Sequence, residues 1–206
     1  MFTASPLSRY HELVAEEALR SDDHQHSVIG RLQKLHDELR SYTPPRIPTE
    51  VPTQSFVCIP VSTSLYIGPT HACLSQLSRL LGSSSTLIKR PENLPKGLYL
   101  YGDVGTGKSM LMDLFHATLP RNITRKSRVH FHAFMIDVHK RLHAYKLAHP
   151  HDGADPVMPI SRDIARESTV ICLDEFQVTD IADAMILRRL LECLLQLGVV
   201  FVMTSK

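Results

Sequence analysis

The chain has 206 residues, 43% of them apolar, which suits one domain with appendages and suffices to fill a core. Its 23 Lys and Arg against 21 Asp and Glu leave a formal charge of +2, so global electrostatics argue for neither a nucleic-acid nor a membrane partner. No run of about 18 apolar residues exists to span a membrane, and the four cysteines, Cys58, Cys73, Cys172 and Cys193, form no CxxC pair and read as buried thiols in a reducing compartment.

The opening "MFTASPLSRYHELVAEEALR" has no secretory h-region, and Glu12, Glu16 and Glu17 spoil the acid-poor character of an organelle presequence, so the sequence reads as intracellular. Within it Leu7, Tyr10, Val14 and Ala18 recur at helical spacing. A second helix carries the stripe Val28, Leu32, Leu35 and Leu39, with Asp22 as N-cap and Gln25 three residues on in a capping-box arrangement. Together these helices, residues 1–40, look like a lid or docking element. Residues 41–96 hold eight of the thirteen prolines and many Ser and Thr, and read as a loop-rich, partly mobile insertion.

From residue 97 to 206 apolar runs and amphipathic helices alternate. Strand "GLYLY" leads to a helix from about Lys108 to Leu119, stopped by Pro120. Strand "VHFHAF" leads to a helix with Met135, Val138, Leu142 and Tyr145 on one side, and strand "TVICL" follows the loop "HDGADP". A helix from about Asp180 to Gln196 is expected to bury Ile181, Ala184, Leu187, Leu191 and Leu194, with Gly198 at its C-terminal cap and "VVFVMTS" as the last strand. Such alternation predicts an α/β fold with a parallel sheet covered by helices on both faces.

Gly102, Gly107, Lys108 and Ser109 fit G-x-x-x-x-G-K-S/T, between a strand and a helix as that motif requires. Glycines at 102, 105 and 107 let the backbone wrap a phosphate chain, with N–H groups and the positive end of the following helix aimed at the anion. Lys108 then reaches the β and γ phosphates and the Ser109 hydroxyl serves as a magnesium ligand. In "VICLDEF" a buried strand delivers Asp174 to its C-terminal end, where a carboxylate holds magnesium through its water shell. Glu175, next in sequence, is placed to orient and deprotonate an attacking water, which favours hydrolysis over phosphoryl transfer. No N-K-x-D motif is present to read guanine.

"PKGLYLYGDVGTGKSMLMDLF", "RVHFHAFMIDVHKRLH" and "VICLDEFQVTDIADAMILRRLLECLLQLGVVFVMTS" together resemble the ZapE-type AAA+ ATPases, also called the lactation-elevated or ATPase-family-gene-one-like family. The leading helices are similar too, including the family's Asp-x-x-Gln at Asp22 and Gln25; the match covers roughly residues 7–40 and 94–205. The resemblance implies a three-layer P-loop NTPase core of AAA+ type. It assigns Gly102, Asp103, Val104, Gly105, Thr106, Gly107, Lys108 and Ser109 to the phosphate loop, Ser109 and Asp174 to Mg2+, and Glu175 to water activation. It implies ATP as ligand, a homo-oligomer through the core, an unidentified protein substrate, and remodelling work such as mitochondrial protein quality control. Where the family continues with Thr-Ser-Asn, its Asn sensing the γ-phosphate, this sequence reads Thr204, Ser205, Lys206. The family's fifth strand, arginine finger and C-terminal lid are not in this sequence, so "GLYLY" is expected at an open sheet edge in a weakly stable chain. A nucleotide-binding but hydrolysis-deficient interaction protein is the competing reading, and a nucleic-acid-stimulated ATPase a third.

Other features read as structural. His130 and His132 fall on one face of the "VHFHAF" strand and His139 and His143 are four apart on a helix, but "HKRLH" has Lys140 where a zinc hydrolase has glutamate. The turn "RNITRKSR" (Arg121, Arg125, Lys126, Arg128) lacks interleaved aromatics and reads as a solvated loop with no strong nucleic-acid signal. Arg188 and Arg189 read as the polar face of the last helix.

Overall fold

Val170 to Leu173 and Val199 to Val202 are apolar without a break, the pattern of strands covered on both faces. In the computed structural model, which describes residues 5–19, 22–47, 91, 93–150, 155–178 and 180–206, they form the middle of a parallel sheet. Its strands are β1 (Leu98–Tyr101), β2 (Lys126–His130), β3 (Val170–Asp174) and β4 (Val200–Ser205), in the order β1-β4-β3-β2. Register runs Leu98↔Val202 to Tyr101↔Ser205 between β1 and β4, Val170↔Val200 between β3 and β4, and His130↔Asp174 between β2 and β3. All three pairings are parallel, so every strand points its C-terminal end to the same rim.

Successive strand residues feed opposite cores. Leu100, Val170, Cys172, Val200 and Val202 face α1 (Pro6–Ala15), α2 (Asp23–Ser41) and α3 (Lys108–Ala117). Ile171, Leu173 and Phe201 face α4 (Phe131–Ala148), α5 (Val157–Glu167) and α6 (Ile181–Gln196). The result is the three-layer arrangement expected from the alternation. Fully buried anchors such as Phe115, Leu32 and Leu194 each contribute about 1.5–3 kcal/mol of apolar burial. Burial also pushes the Cys172 thiol up to about 12, so it stays neutral in the core.

The N-terminal helices form a wall of the first core rather than a detached lid: Tyr10, Ile29, Leu32, Leu35 and Leu39 pack with Leu111 and Phe115 of α3. Ala18 lies beyond α1 and is exposed. The expected insertion at 41–96, with Cys58 and Cys73, falls largely outside the described residues. Tyr42, at its start, donates from its hydroxyl to the Gly198 carbonyl at 2.7 Å and ties α2 to the α6–β4 turn.

Several expected boundaries move. "VHFHAF" is not one strand: β2 ends at His130 and α4 begins at Phe131, so His130 and His132 do not share a strand face. Lys126 and Arg128 of the basic stretch lie in β2 rather than in a loop. α5, between the "HDGADP" loop and β3, was not expected from the sequence; its Pro159 sits in the first turn, where a missing N–H costs no helical hydrogen bond. α6 buries Leu187, Leu190, Cys193 and Leu194, while Leu191 is half-buried, Ile181 is 82% exposed and Ala184 is also exposed, so its buried stripe starts at Leu187.

β1 stands at an edge, paired among the described residues only with β4. Tyr99 and Tyr101 on its outer face are 52% and 75% exposed, their rings stacked with centroids 6.3 Å apart. Among the described residues β1 is thus an edge strand, as expected from the sequence.

Candidate nucleotide site

The loop after β1 turns sharply because three of its residues lack a Cβ. Gly102, Gly105 and Gly107 have φ of 150°, 86° and 81°, a region side chains rarely enter. Gly107 is also the N-cap of α3, and a Cβ there would meet Gln25 Nε2 at 3.0 Å. Lys108 folds back inside the loop, its Nζ donating to Gly102 O at 2.8 Å, Asp103 O at 2.6 Å and Thr106 Oγ1 at 3.2 Å. The ammonium thus already lies in the concavity that the loop encloses. Asp103 and Val104 are exposed, and Val104 borders the cleft beside the loop.

Across the rim, β3 delivers Asp174, which is only 2% exposed. Ser109 Oγ donates to its Oδ1 at 2.9 Å, and Thr204 Oγ1 donates to the same oxygen at 2.5 Å. Arg128 Nη2 donates to Oδ2 at 3.0 Å, with His130 Nδ1 at 3.9 Å. Burial by itself pushes the Asp174 carboxyl up, but the Thr204 and Ser109 hydrogen bonds and the Arg128 and His130 charges outweigh it and hold the group below the ordinary carboxylate value. Asp174 is therefore ionised at neutral pH.

Glu175 follows in a left-handed conformation, φ 54°. Its N–H donates to Asp174 Oδ1 and to Thr204 Oγ1, both at 3.1 Å, and Phe176 N–H donates to Thr204 O at 2.7 Å. These bonds offset the backbone strain and leave the Glu175 side chain exposed at the rim. Between loop and strand ends lies an open cleft of about 360 Å³ lined by Gly105, Lys108, Ser109, Asp174, Glu175 and Thr204. Glu175 also borders a neighbouring cleft of about 470 Å³ that contains His132, Phe176 and Asp183.

The donor set fits a magnesium ion. A hydroxyl and an ionised carboxylate oxygen lie 2.9 Å apart beside the 102–109 loop, hard oxygen ligands with room for water. All sequence-assigned residues, Gly102 through Ser109, Asp174 and Glu175, come to the same rim. His139 instead pairs with Asp183 at 2.7 Å, Arg188 with Glu192 at 3.2 Å, and Arg189 with Asp155.

Three site contacts were not assigned from sequence. Thr204 was read as the end of a strand, aligned with the first residue of the family's Thr-Ser-Asn, with no contact assigned to it. Arg128 was read as part of a solvated turn. Gln25 was read as half of a capping box, whereas Asp22 caps α2 through His24 N–H at 2.8 Å and Gln25 turns outward, Nε2 donating to Thr106 O at 3.4 Å. The polar residue ending an apolar strand beside "VICLDEF" was the signal available for Thr204.

A family model described as AFG1-like ATPase matches residues 4–206. The chain is 41% identical over 223 residues to lactation elevated protein 1 homolog B of Danio rerio, covering 97% of this chain and 41% of that protein. It is 40% identical over 204 residues to an uncharacterized protein of Schizosaccharomyces pombe, covering 99% and 43%. It is 34% identical over 205 residues to the cell division protein ZapE of Escherichia coli K12, covering 100% and 46%. The chain thus spans less than half the length of these relatives. The chain belongs to the AFG1-like ATPase family.

Proposed function

We propose that the chain binds ATP with Mg2+ in the cleft at the β-strand rim and hydrolyses it to ADP and phosphate. The observation that carries this reading is that Lys108, Ser109, the ionised Asp174 and Glu175 line one cleft, with the Lys108 ammonium held inside the loop and the Ser109 hydroxyl on Asp174. The N–H groups of the 102–109 loop and the N-terminus of α3 receive the phosphates. Lys108 exchanges its loop carbonyls for phosphate oxygens, and Ser109 with Asp174 holds the cation. When bound, magnesium neutralises charge that develops on the phosphate oxygens. Glu175, fixed by two hydrogen bonds through its N–H, accepts a proton from the attacking water.

The test is phosphate release by the purified chain and its Glu175→Gln variant. A large loss in the variant with ATP binding intact is expected. Equal rates from the two proteins would instead assign the chain the binding-only role. Assembly of several copies through the core, and remodelling of a protein substrate in mitochondrial quality control, are carried as part of the proposal on family resemblance. Light scattering with and without ATP, and organelle fractionation, test them. Among the described residues no helix is long and apolar enough to cross a membrane.

A further inference from the structure

We propose that Arg128 is a positioning residue of the cation site, an inference that rests on the nucleotide reading above. Arg128 lies opposite Cys172 in the β2–β3 register and reaches the next residue on that face, Asp174. Its guanidinium also contacts Asp113 on α3. Asp113 stands one helical turn beyond Ser109, so α3 grips the buried carboxylate twice. Ser109 holds Oδ1 directly, and Asp113 holds Oδ2 through Arg128.

The chemistry requires arginine. A planar guanidinium with donors on different edges can face two carboxylates at once, whereas a lysine ammonium acts as a single point charge. With Oδ2 engaged, turning the Asp174 carboxylate breaks the Arg128 bond. Oδ1 therefore stays beside the Ser109 oxygen, the edge that faces a cation. Thr204 and the Glu175 N–H hold that same oxygen, so Arg128 is the side-chain donor that fixes the other one. Groups that orient a metal ligand from behind contribute about 10- to 100-fold to metal affinity.

The experiment measures binding of a fluorescent ATP analogue while Mg2+ is titrated, and separately in EDTA. For the unaltered chain Mg2+ is expected to tighten binding. In Arg128→Gln the affinity in EDTA stays within about twofold, while the Mg2+ concentration giving half the effect rises about 10-fold. Arg128→Lys recovers part of this loss. Asp113→Asn, at a half-exposed surface position, keeps the fold and shifts the Mg2+ midpoint the same way by less. An unchanged midpoint in both Arg128→Gln and Asp113→Asn overturns the inference, and so does an equal loss with and without Mg2+, which marks a purely structural ion pair. If Arg128→Gln does not fold, the Asp113→Asn midpoint decides alone. Absence of any binding by the unaltered chain defeats the nucleotide reading itself and the inference with it, an outcome distinct from tight Mg2+-dependent binding that Arg128 leaves untouched.

Discussion

The Thr204 hydroxyl governs Asp174 and its neighbour together: it donates to Asp174 Oδ1 at 2.5 Å, and the same oxygen accepts the Glu175 N–H at 3.1 Å. One side chain at the end of β4 thus sets both the metal-side carboxylate and the left-handed turn that aims Glu175. Thr204→Val keeps the shape and removes both bonds. Turnover is expected to fall about 10- to 100-fold through misplacement of Glu175, with ATP affinity within about threefold by the reasoning that Lys108 and the loop are untouched. Steady-state phosphate release alongside equilibrium nucleotide binding checks the split.

Gly107→Ala forces a side chain into φ 81° and against Gln25. The backbone cost is about 1–2 kcal/mol, and the loop that must receive phosphate is displaced. Thermal unfolding should drop and nucleotide binding be lost, whereas Gly30→Ala, on an exposed face of α2 with open space around it, should keep both.

Tyr42→Phe removes a buried hydrogen bond to the Gly198 carbonyl and should destabilise the chain by about 1 kcal/mol. Burial raises the Tyr42 phenol from 10.0 to about 12. A raised folded-state value means that its contribution is complete below pH 10.0 and is lost as pH rises through about 12. The difference between the two proteins in chemical unfolding should therefore shrink across that alkaline window, and a difference that stays constant counts against the assignment.

Tyr101→Lys places a charge on the open edge of the sheet, where Tyr101 is 75% exposed. Edge strands are blunted by such charges. Dynamic light scattering of concentrated protein should show less self-association than the unaltered chain, with the melting temperature nearly the same.

How much of this was legible depended on whether a residue acts within its own segment. The phosphate loop and "VICLDEF" were readable because their spacing fixes local geometry, and the apolar strands were readable because β3 and β4 are covered on both faces. Arg128 was not, since only pairing with β3 turns it from a basic loop residue into a partner of Asp174. Gln25 fitted a local capping rule so well that its reach to Thr106, distant in sequence, had no signal. α6 was placed correctly, yet its buried stripe was drawn too far forward, since periodicity gives the face of a helix but not where along it the burial begins. α5 was passed over altogether, although its Pro159 stands in the first turn, where it is compatible with a helix.

The strand order β1-β4-β3-β2 has a consequence for synthesis. β4, the last of the four in chain order, inserts between the strand that carries the phosphate loop and the strand that carries Asp174. While the ribosome still holds residues 200–205, β1 has no sheet partner among the described residues and Thr204 is not yet beside Asp174. On the proposed nucleotide reading, the loop and Asp174 therefore stay on separate pieces of the nascent chain until that strand emerges. Until then no strand joins the two halves of the cleft, and the insertion of β4 brings them together.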